Sequence, residues 1–173
     1  MKTKKCDVVV VGAGPGGYAA AFYAADLGKN VILVEKDSDL GGVCLNRGCI
    51  PSKALLNVAH VIEEAAASKE RGLTFGSPKI ELDKLRAWKN SIIQKLGSGV
   101  TQLAKARKVE VVHGKGYFED SNTLRVETSD GQLIINYEQA VLAVGSRPAL
   151  PAAFDLGNPR VMTSTEALEL DDI

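Results

Sequence analysis

The chain has 173 residues, 45% hydrophobic and 24% charged, a balance that suits one folded domain and excludes a disordered chain. Lys plus Arg and Asp plus Glu are both 21, so the formal net charge is zero, which argues against a broad nucleic-acid or anionic-membrane surface. Three cysteines are too few for a disulfide scaffold, and 17 glycines point to tight turns and close backbone approaches.

Lys2, Lys4 and Lys5 precede an uncharged run over residues 8–25 that is nearly long enough to span a bilayer. Asp7 separates the two, and Gly12-Ala13-Gly14-Pro15-Gly16-Gly17 would break a membrane helix at its middle. The run therefore reads as a buried strand over residues 6–11, a turn, and an Ala-rich helix over 15–27 stopped by Gly28. No other segment approaches transmembrane length, so a soluble, intracellular protein is expected. Residues 31–34 form a second buried strand ending at Glu35, which completes a β-α-β unit.

A loop over 37–42 leads into a cysteine-bearing segment over 44–53. Leu55, Leu56, Val58, Ala59, Val61 and Ile62 then continue with helical spacing to about residue 69. A turn region over 72–78 precedes a second long amphipathic helix, carried by Leu82, Leu85, Trp88, Ile92, Ile93, Leu96, Val100 and Leu103 and weakened near Gly97 and Gly99. Residues 109–112 are a third apolar strand, followed by Gly114-Lys115-Gly116. Residues 123–127 and 133–135 alternate about the Asp130-Gly131 turn as a hairpin, and 140–144 form a fourth buried strand ending at Gly145. After Pro148 the chain is loop-like, and it reaches residues 171–173 with no clear terminal element. The pattern is one α/β domain with a small antiparallel insertion.

The glycine segment matches G-x-G-x-x-G between a strand and a helix, with acidic Glu35 just after the next strand. Gly12 permits the tight turn, Gly14 lets a pyrophosphate approach the backbone, and Gly17 lets the helix pack on the strand. The exposed N–H groups and the helix dipole favour a diphosphate, and Glu35 is placed to accept from a ribose hydroxyl. A carboxylate there repels a 2′-phosphate, which disfavours NADP and leaves FAD or NAD. The bland alternative is a structural glycine turn beside a solvated carboxylate.

Cys44 and Cys49 flank Leu45-Asn46-Arg47-Gly48. Five residues of ideal helix rise about 7.5 Å, whereas a disulfide needs Cα atoms closer than about 7 Å. A bridge therefore requires a distorted turn, and Gly48 and Pro51 are the residues that permit one. So short a loop is a poor entropic staple, which leaves a redox pair, a metal site or two inert thiols. Zinc lacks a ligand-spaced partner set, because Cys6 is remote and His60 and His113 do not form a pair. A position near a helix start favours thiolates, and Lys53 lies four residues beyond Cys49 on the same helix face.

The segment Gly41-Gly42-Val43-Cys44-Leu45-Asn46-Arg47-Gly48-Cys49-Ile50-Pro51-Ser52-Lys53 resembles the active-site signature of the pyridine nucleotide–disulfide oxidoreductases. Its Cys-Ile-Pro-Ser-Lys-Ala-Leu ending is similar to that of the dihydrolipoyl dehydrogenase branch. Gly12 to Gly17, Glu35, Gly114-Lys115-Gly116 and Ala143-Val144-Gly145-Ser146-Arg147-Pro148 fall where that family binds FAD. The resemblance implies a Rossmann-like FAD-binding domain with a parallel sheet, two long helices and a small antiparallel insertion, incomplete relative to the family. Residues 1–148 would be the FAD-binding part and 149–173 a linker toward an NAD-binding domain.

The resemblance also implies roles. Gly12, Gly14 and Gly17 would hold the pyrophosphate and Glu35 the adenosine ribose. Lys36, Gly42, Val43, Gly116, Val144, Gly145 and Ser146 would line the rest of the FAD site. Cys44 would exchange with the substrate disulfide, Cys49 would face the flavin, and Lys53 would lie beside the flavin and tune it. Electrons would pass from dihydrolipoamide through the cysteine pair and FAD to NAD. The implied partners are the lipoyl group of a 2-oxoacid dehydrogenase complex or glycine cleavage protein, and a second copy in a homodimer. Neither nucleic acid nor membrane is implied, and the place is the cytoplasm.

Sister reductases acting on mercuric ion or glutathione share the cysteine chemistry. A non-catalytic flavin- or nucleotide-binding module is the alternative from another class. Arg47 stands where the family usually has Val, and is expected to lower thiol pKa values or to meet an acidic partner. The resemblance implies a length well over twice this one, so the NAD domain and the His–Glu base of the interface domain are expected to lie outside these 173 residues, and neither His60 nor His113 is assigned a catalytic role. By itself this stretch is expected not to turn over lipoamide with NAD.

Overall fold

The computed structural model describes residues 2–171. The chain forms β1 (Lys2–Val11), α1 (Pro15–Asp26), β2 (Val31–Glu35), α2 (Gly42–Arg47) and α3 (Cys49–Ala67). After a single 3₁₀ turn at Ser68–Arg71 come α4 (Leu82–Ala106), β3 (Glu110–His113), β4 (Lys115–Phe118), β5 (Thr123–Thr128), β6 (Gly131–Leu142) and α5 (Ser164–Ala167). The strands make one six-stranded sheet in the order β3-β2-β1-β6-β5-β4. The pairs β3·β2, β2·β1 and β1·β6 are parallel; β6·β5 and β5·β4 are antiparallel. This is a mixed α/β, mostly parallel sheet of the Rossmann-like type.

Strand alternation gives the sheet two apolar faces. Val8, Val10, Val31 and Leu33 pack under the helices with Ala21, Phe22, Leu45, Val100 and Ala104. Val9, Ile32, Val34 and Val112 pack on the other face with Leu124, Val126, Leu133 and Ile135. The antiparallel half thus covers the back of the parallel half, and every residue of β2 is buried. Each fully buried Val or Leu contributes on the order of 1.5–3 kcal/mol. The N–H groups of Asp7 and Val8 both donate to the Asn30 carbonyl, a kink of the β-bulge kind that lets Cys6 share a face with Val9.

The structure refines the sequence reading at several points. Strands read separately at 133–135 and 140–144 are one strand, β6, because its polar middle stays paired with β1 from Lys5↔Asn136 to Val8↔Gln139. The strand expected over 140–144 stops at Leu142 and is not buried there, since Leu142 and, beyond the strand, Val144 are exposed. Gly114 joins β3 to β4, a strand the sequence reading did not give and which Lys115 opens. α4 is one long helix, as expected, and it runs without interruption through Gly97 and Gly99. The segment after Pro148 is irregular as far as Thr163, whose side chain and Glu166 form a reciprocal cap that starts α5. Asp172 and Ile173, at the end of that stretch, lie outside the described residues.

α5 and the turn after it dock on α4. The Lys89 ammonium, fully buried, donates to the Leu168 carbonyl at 2.7 Å and to the Glu169 carboxylate at 3.2 Å. Arg86 donates to the Leu170 carbonyl at 2.7 Å. Among the described residues no helix is long and apolar enough to cross a membrane.

Candidate functional site

Three hydrogen bonds gather the carboxyl ends of the parallel strands. The Gly12 N–H donates to Val34, the Ala143 N–H to Val11 and the Gly114 N–H to Glu35, each at 2.8 Å. They bring the glycine turn, the start of β4 and the segment after β6 side by side, though up to about 130 residues separate them in sequence. β1 lies between β2 and β6, so the crevice beyond its end opens where the chain connections part to either side.

The glycine turn is fixed by close packing. Gly12 has φ +99°, and a Cβ on it would lie 2.3 Å from the Ala143 carbonyl oxygen. A Cβ on Gly17 would lie 1.7 Å from the Gly12 oxygen, so α1 seats directly on the turn. α1 has no side-chain cap, and its first return bond is Tyr18 N–H to Gly14 at 2.9 Å. Pro15 has no N–H, so Gly14, Gly16 and Gly17 offer theirs to the crevice. A diphosphate fits this donor set and the positive end of the helix dipole.

Glu35 is buried, with one oxygen accepting from Ala13 N–H at 2.7 Å and the other from Asp37 N–H at 3.0 Å. Each oxygen keeps a further lone pair for a ribose hydroxyl. Lys36 is exposed beside it. Gly116 packs on the Leu124 side chain, and Val144, Gly145 and Ser146 are exposed.

The cysteine pair sits next to this turn. Gly41 N–H donates to Ala13 at 2.8 Å, and a Cβ on Gly42, at φ +61°, would lie 2.7 Å from the Gly14 Cα. Only a glycine lets the two backbones abut there. Cys44 follows two residues later in α2, and exposed Val43 lies between. The helix breaks at Gly48, α3 restarts at Cys49, and the Cys44–Cys49 disulfide closes with Cα atoms 4.7 Å apart. The distorted turn required by the five-residue spacing is this break. Pro51, buried in the first turn of α3, removes no helical bond there. Cys49 is exposed and Cys44 half-buried. Lys53 is exposed one turn on, and makes no hydrogen bond or ion pair among the described residues.

Arg47 meets an acidic side chain of this same chain. Its guanidinium donates to the Asp37 carboxylate at 2.6 Å. The His113 ring Nδ1 bonds the Asp37 carbonyl at 2.9 Å. Asp37 is the residue that sequence reading missed; only its acidity, ten positions before a lone Arg, hinted at it. His60 is exposed on α3, and Cys6 is buried away from the pair. Burial pushes the Cys6 thiol up to about 11. Among the described residues no three His, Cys, Asp or Glu side chains are placed to hold a metal ion.

A family model described as pyridine nucleotide-disulphide oxidoreductase matches residues 6–173. The dihydrolipoyl dehydrogenase of Vibrio cholerae is 49% identical over 172 residues, covering 99% of this chain and 36% of its own length. That of Haemophilus influenzae is 50% identical over 173 residues, again 99% of this chain and 36% of the relative. That of Geobacillus stearothermophilus is 47% identical over 167 residues, 96% of this chain and 35% of the relative. The chain therefore spans about a third of the length of the curated relatives it matches.

Proposed function

The chain belongs to the pyridine nucleotide-disulphide oxidoreductase family, and from that premise we propose that it carries the FAD-binding, redox-disulfide part of a dihydrolipoyl dehydrogenase. The abutment of Gly42 on Gly14, which sets the Cys44–Cys49 bridge beside the diphosphate turn, is the observation that supports this reading most strongly. The overall reaction is oxidation of dihydrolipoamide to lipoamide, with NAD⁺ leaving as NADH and a proton released.

Gly12, Gly14 and Gly17 hold the pyrophosphate through backbone N–H groups, and Glu35 and Lys36 line the ribose end. Gly116 backs the adenine, while Gly42, Val43, Val144, Gly145 and Ser146 line the flavin end. Bound FAD supplies an acceptor for an electron pair beside the dithiol. A substrate thiolate attacks Cys44, the Cys44–Cys49 bond breaks, and Cys49 leaves as a thiolate. The second substrate thiol then displaces Cys44, so the substrate becomes a disulfide and both cysteines are reduced. The start of α3 and the Lys53 ammonium stabilise the Cys49 thiolate electrostatically.

The lipoyl group is presented by a 2-oxoacid dehydrogenase complex or a glycine cleavage protein. The working form is a homodimer in the cytoplasm, where such dithiols cycle. Residues 1–148 are the FAD-binding part and 149–173 the link to an NAD-binding domain.

Differential alkylation tests the site. The chain is reduced and treated with limiting iodoacetamide with and without FAD, and the modified cysteines are mapped by mass. FAD is expected to be retained through desalting in stoichiometric amount and to shield Cys49 while Cys44 stays reactive. Loss of the flavin on desalting, or equal Cys49 labelling in both samples, contradicts the reading.

A further inference from the structure

A continuous run of hydrogen bonds links the glycine turn to the redox turn. Ala13 N–H donates to one Glu35 oxygen at 2.7 Å, and Asp37 N–H donates to the other at 3.0 Å. The Asp37 carboxylate accepts from Arg47 at 2.6 Å, and Arg47 ends α2, between the two cysteines. His113, at the end of β3, bonds the Asp37 carbonyl and closes the loop from its far side. The loop after β2 is thereby held at its amide, its carbonyl and its side chain.

We propose that Arg47 is a positioning residue, whose ion pair with Asp37 holds the redox turn and the adenosine loop in one register for FAD. The proposal rests on the FAD reading above and adds to it a residue outside the glycine turn and the dithiol. The side chains of Arg47 and Asp37 are 42% and 34% exposed, so the pair adds little to folding as a whole. Its effect falls on binding. With the pair made, the Glu35–Asp37 loop and α2 are ordered before the cofactor arrives; without it, that ordering is charged to the binding step.

The test is FAD affinity, read from quenching of flavin fluorescence, for the wild-type chain and for Arg47→Met, Asp37→Asn, the double variant and Arg47→Lys. Each single neutral variant is expected to bind about two- to fivefold more weakly, the range an exposed ion pair supplies. The double variant is expected to bind no more weakly than either single one, because one interaction is lost in all three. Arg47→Lys, which keeps the charge without the planar fork, falls in between. Added salt weakens the wild type more steeply than Arg47→Met, so the two converge as the ion pair is screened. Unfolding midpoints measured without FAD stay close to wild type, which a merely structural role for Arg47 would not allow. A wild type that does not bind FAD overturns the function reading and this proposal with it. A wild type that binds FAD while the single variants match it, or a double variant whose loss is the product of the two, overturns the role of Arg47 alone.

Discussion

At Cys6 the protein keeps a buried thiol that takes no part in the Cys44–Cys49 disulfide. Burial between β1 and its neighbours removes solvent from the thiolate and raises the pKa from 9.0 to about 11, with nearby Asp7 and Glu110 adding smaller repulsions and a backbone bond from Ile32 opposing them. The sign follows from linkage. The folded thiol holds its proton more tightly than the unfolded one, so its stabilising share is full below pH 9 and fades as the pH rises toward 11. Denaturant melts of wild type and Cys6→Ala between pH 8 and 11 check this, since the wild type is expected to lose stability more steeply across that window. Parallel slopes would place the alkaline loss elsewhere. At this scale the sequence was most readable where chemistry is local. The glycine spacing and the two cysteines announce their neighbours, whereas Asp37 and Arg47 meet through the fold of a loop that leaves no periodic trace.

α4 shows how an element outlasts its weak residues. Gly97 and Gly99 each cost helix stability by their backbone freedom, yet the helix continues because Ile93, Val100 and Ala104 pack on the core. A Cβ on Gly99 would meet nothing within 4 Å, and one on Gly97 would only touch Leu45 at 3.9 Å. Gly99→Ala is therefore expected to raise unfolding stability by about 0.5–1 kcal/mol, measured by denaturant melts. A lower stability would show that the position needs the glycine. The buried valine runs of β1 and β2 and the amphipathic spacing of α4 were legible as local patterns. The middle of β6 was not, because Asn136, Glu138 and Gln139 are polar and exposed; only the strand alongside holds them extended. The short α2 was hidden for a related reason, since its six residues carry just one buried side chain, Leu45.

Across the whole molecule, the candidate site follows from where the strands end. The parallel order around β1 sets the glycine turn, the Glu35 loop and the segment after β6 on one rim, and α2 drops the disulfide onto that rim. The sequence disclosed the members of this group but not their convergence, which depends on pairings between residues more than a hundred positions apart, such as Val11 with Leu142. The last described turn, held by Lys89 and Arg86, shows the same rule in the reverse sense: a stretch with no periodicity finds its place through cations on a distant helix. In the proposed reaction the two sulfurs pass an electron pair to a flavin held by the first glycine turn. Anaerobic titration of the FAD-loaded chain with dithionite, followed in the visible, tests it most directly. A long-wavelength thiolate–flavin band is expected to rise to half reduction and to be absent in Cys49→Ser. Direct bleaching of the flavin with no such band in the wild type would contradict it.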